Sequence, residues 1–146
     1  MTRQPDCIFC DIVAGELRAS IVLEDDLVLA FMNLGQFNDG HVLVIPKAHL
    51  RDVREFDPGV GAAVMNAVTQ VSRAVTQAFA PDGLTVRHNI GDAGGQDVFH
   101  AHIHVQARND GDGLHRAYPS APPHPPRAEL DRLASTIRDH LPDLPR

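Results

Sequence analysis

The chain has 146 residues, 43% hydrophobic and 22% charged, with a formal net charge of −6 at pH 7, which suits one soluble domain with a real core. The acidic balance argues against a duplex-binding face, while leaving room for a local cationic spot that holds one phosphate group. No apolar run approaches the ~20 residues of a membrane span, and Met1 to Asp6 lack the apolar core of a signal peptide; a cytoplasmic protein with reduced cysteines is the expectation.

In chain order, Cys7 and Cys10 form a C-x-x-C pair. Three readings compete: two free thiols, a redox pair without the strand–helix context it wants, and half of a tetrahedral zinc site lacking two further ligands. Residues 20–24 and 27–32 are β-branched and apolar and are joined by Asp25-Asp26, which predicts a hairpin. Residues 33–40 are rich in Asn, Asp and Gly and predict a loop; residues 41–45 predict a third strand, stopped by Pro46. A short helix is expected over 49–56. Asp57-Pro58 is a helix start, and Val60, Val64, Val68, Val71, Val75 and Phe79 recur at three- or four-residue steps to about Ala80. Residues 84–89 predict a fourth strand, followed by a Gly-rich loop over 91–97 whose backbone N–H groups could turn toward an anion.

Residues 97–106 read Asp-Val-Phe-His-Ala-His-Ile-His-Val-Gln. A strand has a side-chain period of two, so extended backbone puts His100, His102 and His104 on one face and Ala101, Ile103 and Val105 on the other. Three imidazoles in a row make a metal cage or a reactive surface. Beyond Arg108, residues 109–113 predict a turn and the Pro-rich run 118–126 an extended surface segment. Leu130, Leu133, Ile137 and Leu141 then trace an amphipathic helix. His88, His115, His124 and His140 match no motif and are expected to be surface or structural. The sum is an α+β domain: a five-stranded antiparallel sheet with one long helix, one short helix and a C-terminal helix, its core at about 7–108 and a C-terminal extension at 109–146.

His100-Ala101-His102-Ile103-His104-Val105-Gln106 resembles the signature of the histidine triad (HIT) superfamily, in which three histidines alternate with apolar residues. Gln106 departs from the usual apolar residue. The stretch from Gly40 to His49 resembles that family's second block and Cys7 to Glu16 its N-terminal block, in the right order and spacing. The resemblance implies a HIT-like fold related to the Hint and Fhit branches. It also implies a homodimer paired through the long helix and the strand after it, and a purine nucleotide as substrate. It offers His49 and His100 to complete a structural zinc site with Cys7 and Cys10. No catalytic metal is required.

Neutral imidazole is a good nucleophile near pH 7 and its conjugate acid a good proton donor. The resemblance gives His102 the nucleophile's part at the α-phosphorus and His104 the contact to phosphate and leaving group. It makes His100 a zinc ligand or orienting partner, and His41 a supporting histidine from the neighbouring strand. Ile8, Phe9, Ile12, Phe31, Met32, Leu34 and Leu43 match the base pocket, Asn33 the ribose position, and Asn89, Gly95, Gln96 and Asp97 the phosphate-side loop. Asp97 stands where the best-known branches carry Ser or Thr. The expected activity is hydrolysis or nucleotidyl transfer on a nucleoside phosphoramidate or a dinucleoside polyphosphate, through a nucleotidyl-histidine. The alternatives are a nucleotide-binding scaffold with little turnover and a metal-dependent hydrolase ligated by the whole histidine row.

Overall fold

The computed structural model describes residues 3–114 and 121–142. It divides into two compact units, Met1–Asp112 and Gly113–Arg146. The expectations for His115 and for Tyr118 and Pro119 of the Pro-rich run lie outside the described residues.

The first unit begins with a short helix, α1 (Ile8–Val13), where the sequence predicts none. Strands β1 (Ile21–Glu24) and β2 (Val28–Met32) form the expected hairpin. Its turn is closed by Asp25, whose Oδ1 accepts from the N–H groups of Leu27 at 2.8 Å and Val28 at 2.7 Å, the backbone-capping role that favours Asp in turns. Strand β3 (His41–Pro46) runs back antiparallel to β2. Over 49–56 the expected helix is reduced to a single 3₁₀ turn, Val53–Glu55, capped by the Asp52 side chain on Arg54 N–H.

The long helix α2 (Pro58–Phe79) starts and stops where its sequence signals stand. Asp57 Oδ1 accepts from Val60 N–H at 2.9 Å, and Pro58 fills the first position, where a missing N–H costs nothing. Val60, Val64, Val68, Val71 and Val75 are buried as the periodicity predicts; Phe79 at the end of the stripe is half exposed. Strand β4 (Gly83–Arg87), a 3₁₀ turn at Asp92–Gly94 and strand β5 (Ile103–Arg108) complete the unit. The sheet order is β1-β2-β3-β5-β4, antiparallel throughout.

Period-two alternation gives the sheet two different faces. Val28, Ala30, Val42, Val44, Ile103, Val105 and Ala107 join the valine stripe of α2 in one core. Leu29, Phe31, Leu43 and Ile45 point the other way and pack with Cys7, Phe9 and Cys10 of the α1 region. The histidines belong to this second face. In the second unit, α3 (Arg127–Arg138) is the expected amphipathic helix; Leu130, Leu133 and Ile137 are all at least 37% exposed within the chain.

Candidate active site and metal centre

The histidine row is not one continuous strand. Ladder pairing starts at Ile103, which faces Val44, while His104 faces Leu43. Upstream, Ala101 N–H donates to Leu50 O at 2.7 Å instead of to β3. That bond takes the 100–102 backbone out of the ladder and splits the three rings between two tasks. All three are buried, at 0%, 2% and 8% exposure for His100, His102 and His104.

His100 faces α1. Its Nδ1 lies 3.5 Å from Cys7 Sγ and 3.7 Å from Cys10 Sγ, while His49 Nδ1 lies 3.4 Å from Cys10 Sγ. The four ligand atoms are all within 4.8 Å of one another. Zinc bonds of ~2.3 Å to sulfur and ~2.0–2.1 Å to nitrogen, at a tetrahedral angle, put S and N about 3.6 Å apart. The donors are therefore already at the spacing of a closed tetrahedral site. His100 Nε2–H donates to Pro46 O at 2.8 Å, which fixes the tautomer with Nδ1 free to ligate. Burial holds His100 neutral, its pKa down at about 4, and pushes the Cys10 thiol up. His41 does not compete for His100; it bonds to His104 instead. The three row histidines also do not converge on one ion, and among the described residues the Cys7–Cys10–His49–His100 group is the one metal-capable cluster.

His102 Nδ1 lies 2.8 Å from His100 O. A carbonyl only accepts, so Nδ1 carries the proton and Nε2 keeps its lone pair. A second chain of bonds sets the tautomer of His104. Asn33 Nδ2 donates to Gly35 O at 2.8 Å, which identifies it as the amide nitrogen, and it lies 3.3 Å from His41 Nδ1. His41 Nδ1 therefore accepts, and His41 Nε2–H donates to His104 Nδ1 at 2.9 Å. His104 is left with its proton on Nε2. Burial, with the Arg87 guanidinium as second cause, holds the His104 pKa at about 4; burial and Arg87 lower His41 as well. In their neutral forms the two rings thus present a bare Nε2 on His102 beside an Nε2–H on His104, ring centroids 5.1 Å apart, with Asp97 Oδ1 3.3 Å from His102 Nε2.

Both rings border a cavity of about 680 Å³. Every residue expected in the base pocket lines it: Ile8, Phe9, Ile12, Phe31, Met32, Leu34 and Leu43, together with Asn33 and Asp97. Phe9 sets its ring edge-on to Phe31, His100 and His102. The sequence reading missed Leu17, Arg18, Ala19, Ser20 and Val98, which also line the cavity; the connector after α1 has no periodicity to mark it. Asn89, Gly95 and Gln96 are not in this wall. Gln96 is instead a buried brace: its Oε1 accepts from Gly91 N–H at 2.9 Å, and its Nε2 donates to Arg51 O and Val98 O. Asn89 Nδ2 donates to Gly95 O across the same loop. His88 is structural as expected, donating from Nδ1 to His102 O at 2.9 Å and accepting from Val53 N–H.

Comparison with known proteins agrees with this geometry. The HIT domain family model matches residues 14–111. A HIT-family protein of Bacillus subtilis superposes with a TM-score of 0.88 at 36% identity, covering 95% of this chain and 99% of that one. A Zn-bound histidine triad family protein from Mycobacterium smegmatis superposes with a TM-score of 0.69 at 33% identity, covering 92% and 98%. The Arabidopsis thaliana protein named adenylylsulfatase HINT3 is 37% identical, over 99% of this chain and 74% of its own. By fold, by the paired histidines and by these likenesses, the chain belongs to the HIT-domain family.

Proposed function

We propose that the chain is a nucleotide hydrolase or nucleotidyl transferase acting at the α-phosphate of a nucleoside phosphoramidate or dinucleoside polyphosphate, by way of a nucleotidyl-His102 intermediate. The observation that carries the reading is the opposite tautomers of neighbouring rings. His102 Nε2 attacks phosphorus; His104 Nε2–H donates to the phosphoryl oxygen or the departing atom. His100 O holds the nucleophile's tautomer and His41 holds that of His104. The apolar cavity wall takes the base, and Asn33 Oδ1, the atom its amide leaves over, accepts from a ribose hydroxyl. The name of the Arabidopsis relative adds adenylyl sulfate to the donors worth testing.

Cys7, Cys10, His49 and His100 are the residues that would hold a structural zinc ion; with four protein ligands no position stays open for water. Such an ion would fix the backbone of His100, and through its carbonyl the ring of His102. Reduced thiols fit a cytoplasmic setting. The unit pairs with a second copy through α2 and the edge strand β4, where Met65 and Val86 are exposed; a molar mass of one chain in solution would refute this.

Replacing His102 with Ala is expected to abolish turnover and leave nucleotide binding in place. A variant that turns over at the wild-type rate would end the nucleophile assignment. A scaffold, by contrast, would bind nucleotide tightly with no release of nucleoside monophosphate by the wild type.

A further inference from the structure

Asp97 is the one acidic side chain in the wall of the cavity that borders His102 and His104. Its Oδ1 lies 3.3 Å from His102 Nε2, the atom to which phosphorus must bond, and accepts from Val98 N–H at 3.0 Å. The side chain is 78% exposed. Among the described residues no Lys or Arg lies within ion-pair distance of it. The one cationic residue of the wall, Arg18, comes from the connector after α1 and not from the loop that carries Asp97. The Asp97 carboxylate, whose one ion-pair-distance neighbour among the described residues is the His102 ring, therefore stands against the reaction centre in the cavity wall.

We propose that Asp97 makes the site selective for the charge of the leaving group: neutral or cationic amines are accepted, and phosphate-, pyrophosphate- or sulfate-type anions are disfavoured. The inference rests on the nucleotide reading above. Every substrate of that class brings the same α-phosphoryl charge, so the leaving group alone distinguishes them. An in-line leaving atom sits on the order of 5 Å from Nε2 in an attack geometry, hence within about 8 Å of Asp97 Oδ1, which is 3.3 Å from Nε2. At such range, in a partly solvated site, one unit of charge changes relative affinity about tenfold.

For an amine substrate the step balances without another reactant. His102 Nε2 forms a bond to phosphorus, and the P–N bond breaks with its electron pair going to the amine nitrogen. That nitrogen, hydrogen-bonded by His104 Nε2–H, takes two protons from solvent and leaves as an ammonium ion, which a neighbouring carboxylate attracts. Water then attacks phosphorus, the P–Nε2 bond breaks back to His102, and the nucleoside monophosphate dianion leaves with two protons released to solvent. A departing polyphosphate or sulfate stays anionic and is repelled.

The test compares wild type with Asp97→Ser and Asp97→Glu in two readouts. In calorimetric titration with AMP and ADP, the β-phosphate stands in for an anionic leaving group. Asp97→Ser is expected to improve ADP affinity relative to AMP by about tenfold, while Asp97→Glu keeps the wild-type ratio. In turnover, the ratio of kcat/KM for an adenosine phosphoramidate of a diamine to that for diadenosine tetraphosphate should fall by about the same factor in Asp97→Ser. Ratios within twofold of wild type in Asp97→Ser would overturn the proposal. A protein that shows the affinity-ratio shift in Asp97→Ser but turns nothing over would keep the charge selectivity as a binding property and refute the hydrolase reading. Failure of AMP to bind at all would refute both.

Discussion

A carbonyl oxygen cannot donate, and in this protein that single fact separates two chemically identical side chains. His100 O compels His102 to carry its proton on Nδ1, whereas the Asn33–His41 chain compels His104 to carry its proton on Nε2. Asn33 is the far end of that second chain. Replacing Asn33 with Ala frees His41 to donate from either nitrogen and removes the proposed ribose acceptor, so kcat is expected to fall about tenfold and KM to rise as well. Steady-state kinetics on one substrate checks this, and an unchanged kcat would remove Asn33 from the relay. The alternation of His100, His102 and His104 was legible in the sequence because period two is a backbone property. The Asn33 relay was not, because it depends on how the 33–40 loop folds back onto β3. The diversion of His100 toward the cysteines was likewise hidden, since it follows from one hydrogen bond to Leu50, 51 positions away in the chain.

At the scale of elements, the site hangs on where β3 begins. Gly40 has φ +103, and a Cβ built there would lie 2.9 Å from side-chain atoms of both Val75 and Phe79. The close approach of the loop to α2 thus needs a residue without a side chain. Gly40→Ala is expected to cost about 2 kcal/mol of folding stability, from strain and overpacking together, and to displace His41, the next residue. Denaturant unfolding measures the first effect. The valine stripe of α2 was readable because an amphipathic helix repeats every 3.6 residues; Val64 and Val71, each 1% exposed, should each lose roughly 2 kcal/mol on truncation to Ala. Of the two short helical pieces, α1 was not readable and the helix expected over 49–56 was too long. α1 is six residues long, too short to show a period, and the 49–56 segment spends its polar groups on bonds to Asp52 and Glu55 side chains instead of a helix ladder.

For the whole molecule, the neutral buried histidines make stability depend on pH with a definite sign. His104 titrates near 4 in the folded chain and near 6.5 when exposed on unfolding. Between those values the unfolded chain binds a proton that the folded chain refuses, so stability falls as pH drops from about 6.5 to about 4 and the histidine effect ends there. Asp52, fully buried and paired with Arg54, is held down at about 2 from 3.8; its contribution is present above the unfolded value and is lost as pH falls toward about 2. Melting temperature against pH should show both limbs, with Asp52→Asn removing the lower one. The proposed zinc site adds a further global dependence. About one zinc per chain is expected by metal analysis, and chelation should lower the melting temperature by about 10 °C or more. A metal-free protein of unchanged stability would contradict the assignment of Cys7, Cys10, His49 and His100.

The proposed chemistry converges on one bond, between phosphorus and His102 Nε2. The direct measurement is mass spectrometry of protein mixed briefly with an adenosine phosphoramidate and quenched at high pH, where an acid-labile adduct survives. An adenylyl group is expected on the peptide carrying His102, absent in His102→Ala. An adduct on another residue, or turnover with no adduct and full activity in His102→Ala, would contradict it.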